Sequence, residues 1–172
     1  MVWRLDLGAQ FDTTGTHFRV WAPRAQQVEV VLFANGQPGR AAALAPQGDG
    51  HFAGHLAGVG PGDRYMFRLD GGDPRPDPAS RFQPAGVHGP SEVVDPAAYS
   101  WGDIGWGGRA MDELVIYELH VGAATAEGTF EALIGRLDAI RDLGATAVEL
   151  MPVAAFPGDR GWGYDGVGLF AP

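Results

Sequence analysis

The hydrophobic rhythm of this chain changes once, near residue 112, and that change limits the possible folds more than any other feature. Before it, apolar residues alternate with polar ones in short runs. Phe18 and Val20 alternate with His17 and Arg19, and Val28, Val30 and Leu32 share one face of the next run. Residues 51–56 and 64–69 repeat the pattern, the latter placing Tyr65, Phe67 and Leu69 together. A two-residue period is that of a half-buried strand. Ala22-Pro23 interrupts the first ladder, and Asn35-Gly36 is a hairpin signal. Short strands between Gly/Pro turns predict an immunoglobulin-like β-sandwich over residues 1–96.

After residue 112 the period is different. Residues 114–121 form a near-continuous apolar run, the pattern of a strand buried on both faces of a parallel sheet. Thr129 offers an N-cap, and Phe130, Leu133, Ile134, Leu137 and Ile140 then recur at helical spacing up to Gly144, which supplies a stop. Residues 145–152 read as a second buried strand. Strand, helix, strand in this order is a βαβ unit with a parallel pair. Between the halves, prolines 74, 76, 78, 84, 90 and 96 stiffen residues 71–112 into an ordered, non-repetitive stretch, whose final part (97–112) is the connector proper. Trp101 and Trp106 in it are expected to pin the connector to a neighbouring core.

Composition narrows the function. A net charge of -9 argues against nucleic acid and anionic membranes as partners. With no cysteine, disulfides and thiolate metal sites are excluded, and the histidines lack metal-ligand spacing, so neither a metal nor another cofactor is expected. No run approaches the roughly 18 apolar residues of a membrane span. The first six residues lack a basic segment followed by an apolar one, so the expected location is cytoplasmic.

The chemistry concentrates in residues 157–170. Trp162, Tyr164 and Phe170 sit in a glycine-rich loop with Asp159, Arg160 and Asp165 between them. Such a loop can expose flat rings and polar tips together, which is what a pyranose needs for stacking and hydroxyl hydrogen bonds.

Four runs carry a resemblance: FRVWAP at 18–23, DPASRFQPAGVHGP at 77–90, IYELHVG at 116–122, and ELMPVAAFP at 149–157 continuing to GWGYDG at 161–166. In these the chain resembles the α-amylase superfamily, glycoside hydrolase family 13, and most of all its trehalose-releasing members. The first run is similar to the sandwich, of the carbohydrate-binding-module-48 kind, that precedes the barrel in branching, debranching and trehalose-forming enzymes. The resemblance covers essentially the whole chain but only the first third of a typical member. It implies that residues 113–172 open a (β/α)8 barrel, with active-site loops at the C-terminal ends of its strands. The implied activity is hydrolysis of the α-1,4 bond next to a terminal trehalose on a malto-oligosaccharide, so the implied partner is an α-glucan. A glycogen branching or debranching enzyme, or a non-catalytic glycan-binding module, is the alternative.

Within that frame Tyr164 matches the tyrosine that stacks on the sugar beside the scissile bond. Trp162 and Asp165 read either as sugar contacts or as residues that hold the loop. His120, at the end of the first strand, reads as a supporting polar residue near the site or as a hydrogen-bonded structural histidine. Glu118 and Glu149 read as paired structural carboxylates rather than an acid pair. No catalytic residue is assigned. A retaining glycosidase needs two carboxyl groups roughly 5–5.5 Å apart, which the family carries on its fourth and fifth strands. A barrel takes about 250 residues, and 60 follow the connector. The 172-residue chain is therefore expected to be an inactive N-terminal fragment.

Overall fold

The computed structural model describes residues 6–172, so most of the N-terminal stretch read for a signal lies outside the described residues. The chain divides into two compact units, the first holding the chain up to Ala98 with residues 154–157 and 167–172, the second holding residues 99–153 and 158–166.

The first unit is antiparallel throughout. Its strands are β1 (Gly8–Asp12), β2 (Gly15–Trp21), β3 (Val28–Ala34), β4 (Gln37–Gly48), β5 (His51–Ala57), β6 (Arg64–Leu69) and the short β7 (Ser91–Glu92). They are hydrogen-bonded in the order β1-β2-β5-β4-β3-β6-β7. The long β4 joins two sheets, pairing with β3 through Leu44 and with β5 from Ala45 onward. The alternation in the sequence is spent on one interior: across β2 and β5, Thr16 faces Leu56, Phe18 faces Gly54 and Val20 faces Phe52. Phe18, Val28, Val30, Tyr65 and Phe67 are buried in the resulting core. Phe18 and Phe67 meet the Tyr65 ring edge to face, with centroids 4.8 and 5.8 Å away. The Thr16 hydroxyl, fully buried, donates to the Val59 carbonyl at 2.8 Å. Asn35 and Gly36 both take positive φ between Ala34 and Gln37, as a two-residue hairpin turn requires.

The proline-rich stretch after β6 does more than connect. Asp77, Ala79, Ser80, Val87, Ser91 and Val93 are buried. The Tyr65 hydroxyl donates to Asp77 Oδ2 at 2.5 Å, while the Asp77 backbone N–H donates to Ser91 Oγ at 3.0 Å and the Ala79 N–H to Asp77 Oδ1 at 2.8 Å. Arg81 donates to the carbonyls of Leu7 and Ala9, bracketing the start of β1. Burial pushes the Asp77 carboxyl above its usual range, against the pull of the Tyr65 hydroxyl, the Ala79 N–H and the Arg81 charge. The same burial, reinforced by the Asp77 charge, raises the Tyr65 phenol.

In the second unit a 3-10 turn (Met111–Glu113) precedes β8 (Ile116–Leu119), and three short helices follow: α1 (Val121–Ala124), α2 (Phe130–Ile134) and α3 (Leu137–Asp142). The last strand is β9 (Ala147–Leu150). β8 and β9 pair in parallel, Ile116 opposite Ala147 and Leu119 opposite Leu150, which is the expected βαβ. Thr129 caps α2, its hydroxyl oxygen accepting the Ala132 N–H at 3.2 Å.

Three expectations change here. The single helix over 130–143 is two, because Gly135 and Arg136 form a tight turn in which the Arg136 N–H reaches the Leu133 carbonyl at 2.8 Å. Glycine is about 1 kcal/mol poorer than alanine inside a helix, which locates the break. The strands are not buried on both faces: Ile116, Tyr117, Val148 and Leu150 are exposed, since among the described residues the pair has no further strands and its faces are only partly covered. Trp101 and Trp106 do not pin the connector to a core. They are 70% and 75% exposed, and Trp101 meets only Tyr99, edge to face at 4.9 Å, among the ring contacts of the described residues.

Candidate functional site

In a parallel pair, the residues that follow both strands emerge at one edge. His120 follows β8, and the loop beginning at Met151 follows β9; the Met151 N–H still donates to the Leu119 carbonyl at 2.9 Å, continuing the ladder to that edge. The sequence places the aromatic loop here, and residues 158–166 of it belong to the second unit.

Gly163 determines the path of this loop. It is buried, at φ 91°, and a Cβ there would overlap the Pro152 carbonyl, so no other residue allows the backbone to lie this close. On either side of it Trp162 is 76% exposed and Tyr164 74% exposed. Asp159, Arg160 and Asp165 are exposed as well, so rings and polar tips share one short open segment. His120 Nε2 lies 2.8 Å from the Gly161 carbonyl oxygen. His120 and the loop are thus brought together across 41 residues. Phe170, half-exposed, belongs to the first unit.

Glu118 and Glu149 face each other in register and are exposed, with no ion pair for either among the described residues. The expected structural pairing is absent because the strand faces that would carry partners are open; two like charges directly opposite are mildly destabilising. No group of three or more metal-ligating side chains occurs among the described residues, and no helix is long and apolar enough to cross a membrane. An open groove runs between Tyr117, Leu119, Leu133, Ile140 and Leu143, with Glu118, His120 and Arg136 also in its lining. Two features of the structure are not spelled out by the sequence: the Gly163 approach to Pro152, and the Tyr65–Asp77–Arg81 cluster. The second left a signal in the DPASR run, where Asp77 and Arg81 flank the small residues Pro78, Ala79 and Ser80.

Comparison with known proteins agrees with this architecture. The chain is 42% identical over 167 residues to malto-oligosyltrehalose trehalohydrolase of Saccharolobus solfataricus, covering 97% of this chain and 29% of that protein. It is 46% identical over 158 residues to the Deinococcus radiodurans enzyme of the same name, covering 92% of this chain and 25% of that protein. The chain thus spans about a quarter of the length of these relatives. A solved structure of a candidate alpha amylase from Salmonella typhimurium superposes with a TM-score of 0.91 at 45% identity, covering 99% of this chain and 28% of that one. The family model of carbohydrate-binding module 48, the isoamylase N-terminal domain, matches residues 6–98, the antiparallel unit described above, and the chain belongs to that family.

Proposed function

We propose that the chain is the N-terminal part of a glycoside hydrolase that releases trehalose from malto-oligosyltrehalose by cleaving the adjoining α-1,4 bond. Residues 1–96 form its glucan-type module, 97–112 the connector, and 113–172 the first two strands of a (β/α)8 barrel. Tyr164 and Trp162 stack on glucose rings of the α-glucan, and Asp165 hydrogen-bonds a hydroxyl. The observation that carries the reading is the pair of exposed rings on a pinned loop at the C-terminal edge of a parallel strand pair, where barrel enzymes keep their sites. The identity to trehalohydrolases supports the substrate. The two-carboxylate chemistry of such enzymes needs groups on later strands, so the 172-residue chain binds glucan without hydrolysing it.

The test has two arms. Incubation of the chain with malto-oligosyltrehalose should release no trehalose above a buffer control, and turnover would overturn the assignment of catalysis to later strands. Titration with maltotetraose should show binding that Tyr164→Ala weakens by about 1–2 kcal/mol, the scale of one stacked ring. Unchanged affinity in that variant would remove Tyr164 from the site.

A further inference from the structure

We infer that His120 is a positioning residue that holds the aromatic loop, and that it does not touch the sugar itself; the inference rests on the glucan role proposed for Trp162 and Tyr164. A backbone carbonyl can only accept, so the contact with the Gly161 oxygen requires the proton on Nε2. In the neutral ring Nδ1 is then bare, and that atom is buried with no hydrogen-bond partner. The ring does not cap α1, although His120 stands at its N-cap position, so among the described residues its one hydrogen bond is to the loop. Gly122 leaves room for it: a Cβ at that position would lie 3.0 Å from His120 Cε1. One nitrogen is committed to the loop and the other is closed to solvent. Neither is free for a substrate hydroxyl.

The loop needs such a hold because its rings supply none. Trp162 and Tyr164 are largely in solvent and gain little from packing. Their placement comes from the Gly161–His120 hydrogen bond on one side of Trp162, while on the other side Gly163 lets the backbone lie close against Pro152. A flexible loop would lose conformational entropy when it ordered around a sugar; a pinned one has already lost it, which improves affinity without adding a contact.

The experiment compares wild type, His120→Ala and His120→Gln in the full chain, since the Gln side chain can still present an N–H to the Gly161 carbonyl. In wild type, nitrogen NMR of the imidazole should report the Nε2–H tautomer. Amide exchange across 159–166 should quicken about tenfold in His120→Ala and stay within about twofold in His120→Gln, with maltotetraose affinity following the same order. The Nδ1–H tautomer, unchanged exchange in His120→Ala, or equal loss in both variants would overturn the inference. The tautomer is read on wild type and so decides even if His120→Ala does not fold. Tyr164→Ala is the control for the reading beneath: if it leaves maltotetraose binding unchanged the glucan role falls, while exchange and tautomer still decide the latch.

Discussion

Tyr65→Phe isolates one bond that fastens the proline-rich stretch to the antiparallel unit. The substitution leaves the ring between Phe18 and Phe67 and removes only the hydroxyl, so buried apolar area is conserved. What is lost is a 2.5 Å hydrogen bond to a buried carboxyl group. Hydrogen bonds to charged groups contribute about 1.5–3 kcal/mol, and here the acceptor is left partly unsatisfied, so a loss of about 2 kcal/mol is expected. For a chain of this size that is a fall in Tm of about 4–8 °C. Urea unfolding at pH 7 should shift the midpoint with little change of slope. The loss should also depend on pH. Because burial raises the Asp77 carboxyl, its ionisation opposes folding: the stability linked to it is complete below the ordinary carboxylate range and is lost as pH rises through the raised value. The Tyr65 hydroxyl favours the ionised form, so removing it should cost more at pH 7 than at pH 4. A change below about 0.5 kcal/mol at pH 7, or a larger loss at pH 4, would refute the argument.

Other consequences are as direct. Gly163→Ala forces either the loop or Pro152 to move and places alanine at positive φ, so maltotetraose binding should fall at least tenfold while urea unfolding of the first unit is unaffected; retained affinity would show that the loop path is not fixed there. The Thr14 hydroxyl and N–H, aided by His55, hold the Asp12 carboxyl at about 2. Stability from a depressed carboxyl is present above its ordinary value and lost as pH falls toward the folded one, so Asp12→Asn should flatten the fall of Tm between pH 4 and 2; parallel curves would exclude the coupling. Residues 113–172 expressed alone should self-associate, because burying each of Ile116, Tyr117, Val148 and Leu150 is worth about 1.5–3 kcal/mol against a usual domain stability of about 5–15 kcal/mol. A monomer with slow amide exchange in both strands would contradict this.

The strands that could be read from the sequence are those whose burial is one-sided. β2, β3, β5 and β6 each put alternate residues into one core, and a period of two follows from the geometry of a strand. β4 is not legible in the sequence because its run, QPGRAAALAPQG, carries two prolines and two glycines that look like loop. Pro38 lies where β4 pairs with β3 alone and Pro46 where it pairs with β5 alone, so each has an open side on which a missing N–H costs no ladder bond. Strand burial in the second unit could not be read in the same way. An apolar run states what a strand would bury, whereas exposure depends on which neighbours are present, and among the described residues β8 pairs only with β9. The tryptophans of the connector show the same limit.

For the site, the sequence supplied the residue types and the edge of the sheet, and the structure supplied how they are held. Glycines around Trp162 and Tyr164 predict an open loop, and openness alone would leave the rings mobile. The two pins that resolve this are non-local: His120 reaches Gly161 from the other strand, and Gly163 is forced by a carbonyl eleven positions earlier. No spacing rule encodes either, because each depends on the parallel register that brings the ends of β8 and β9 to one edge. The glycines therefore have two physical roles in one segment. At 163 the missing side chain lets the backbone press against Pro152, a path closed to any other residue, and in the flanking positions it keeps bulky neighbours away from the rings. A loop built in this way is exposed without being loose, which is the condition a stacked sugar requires.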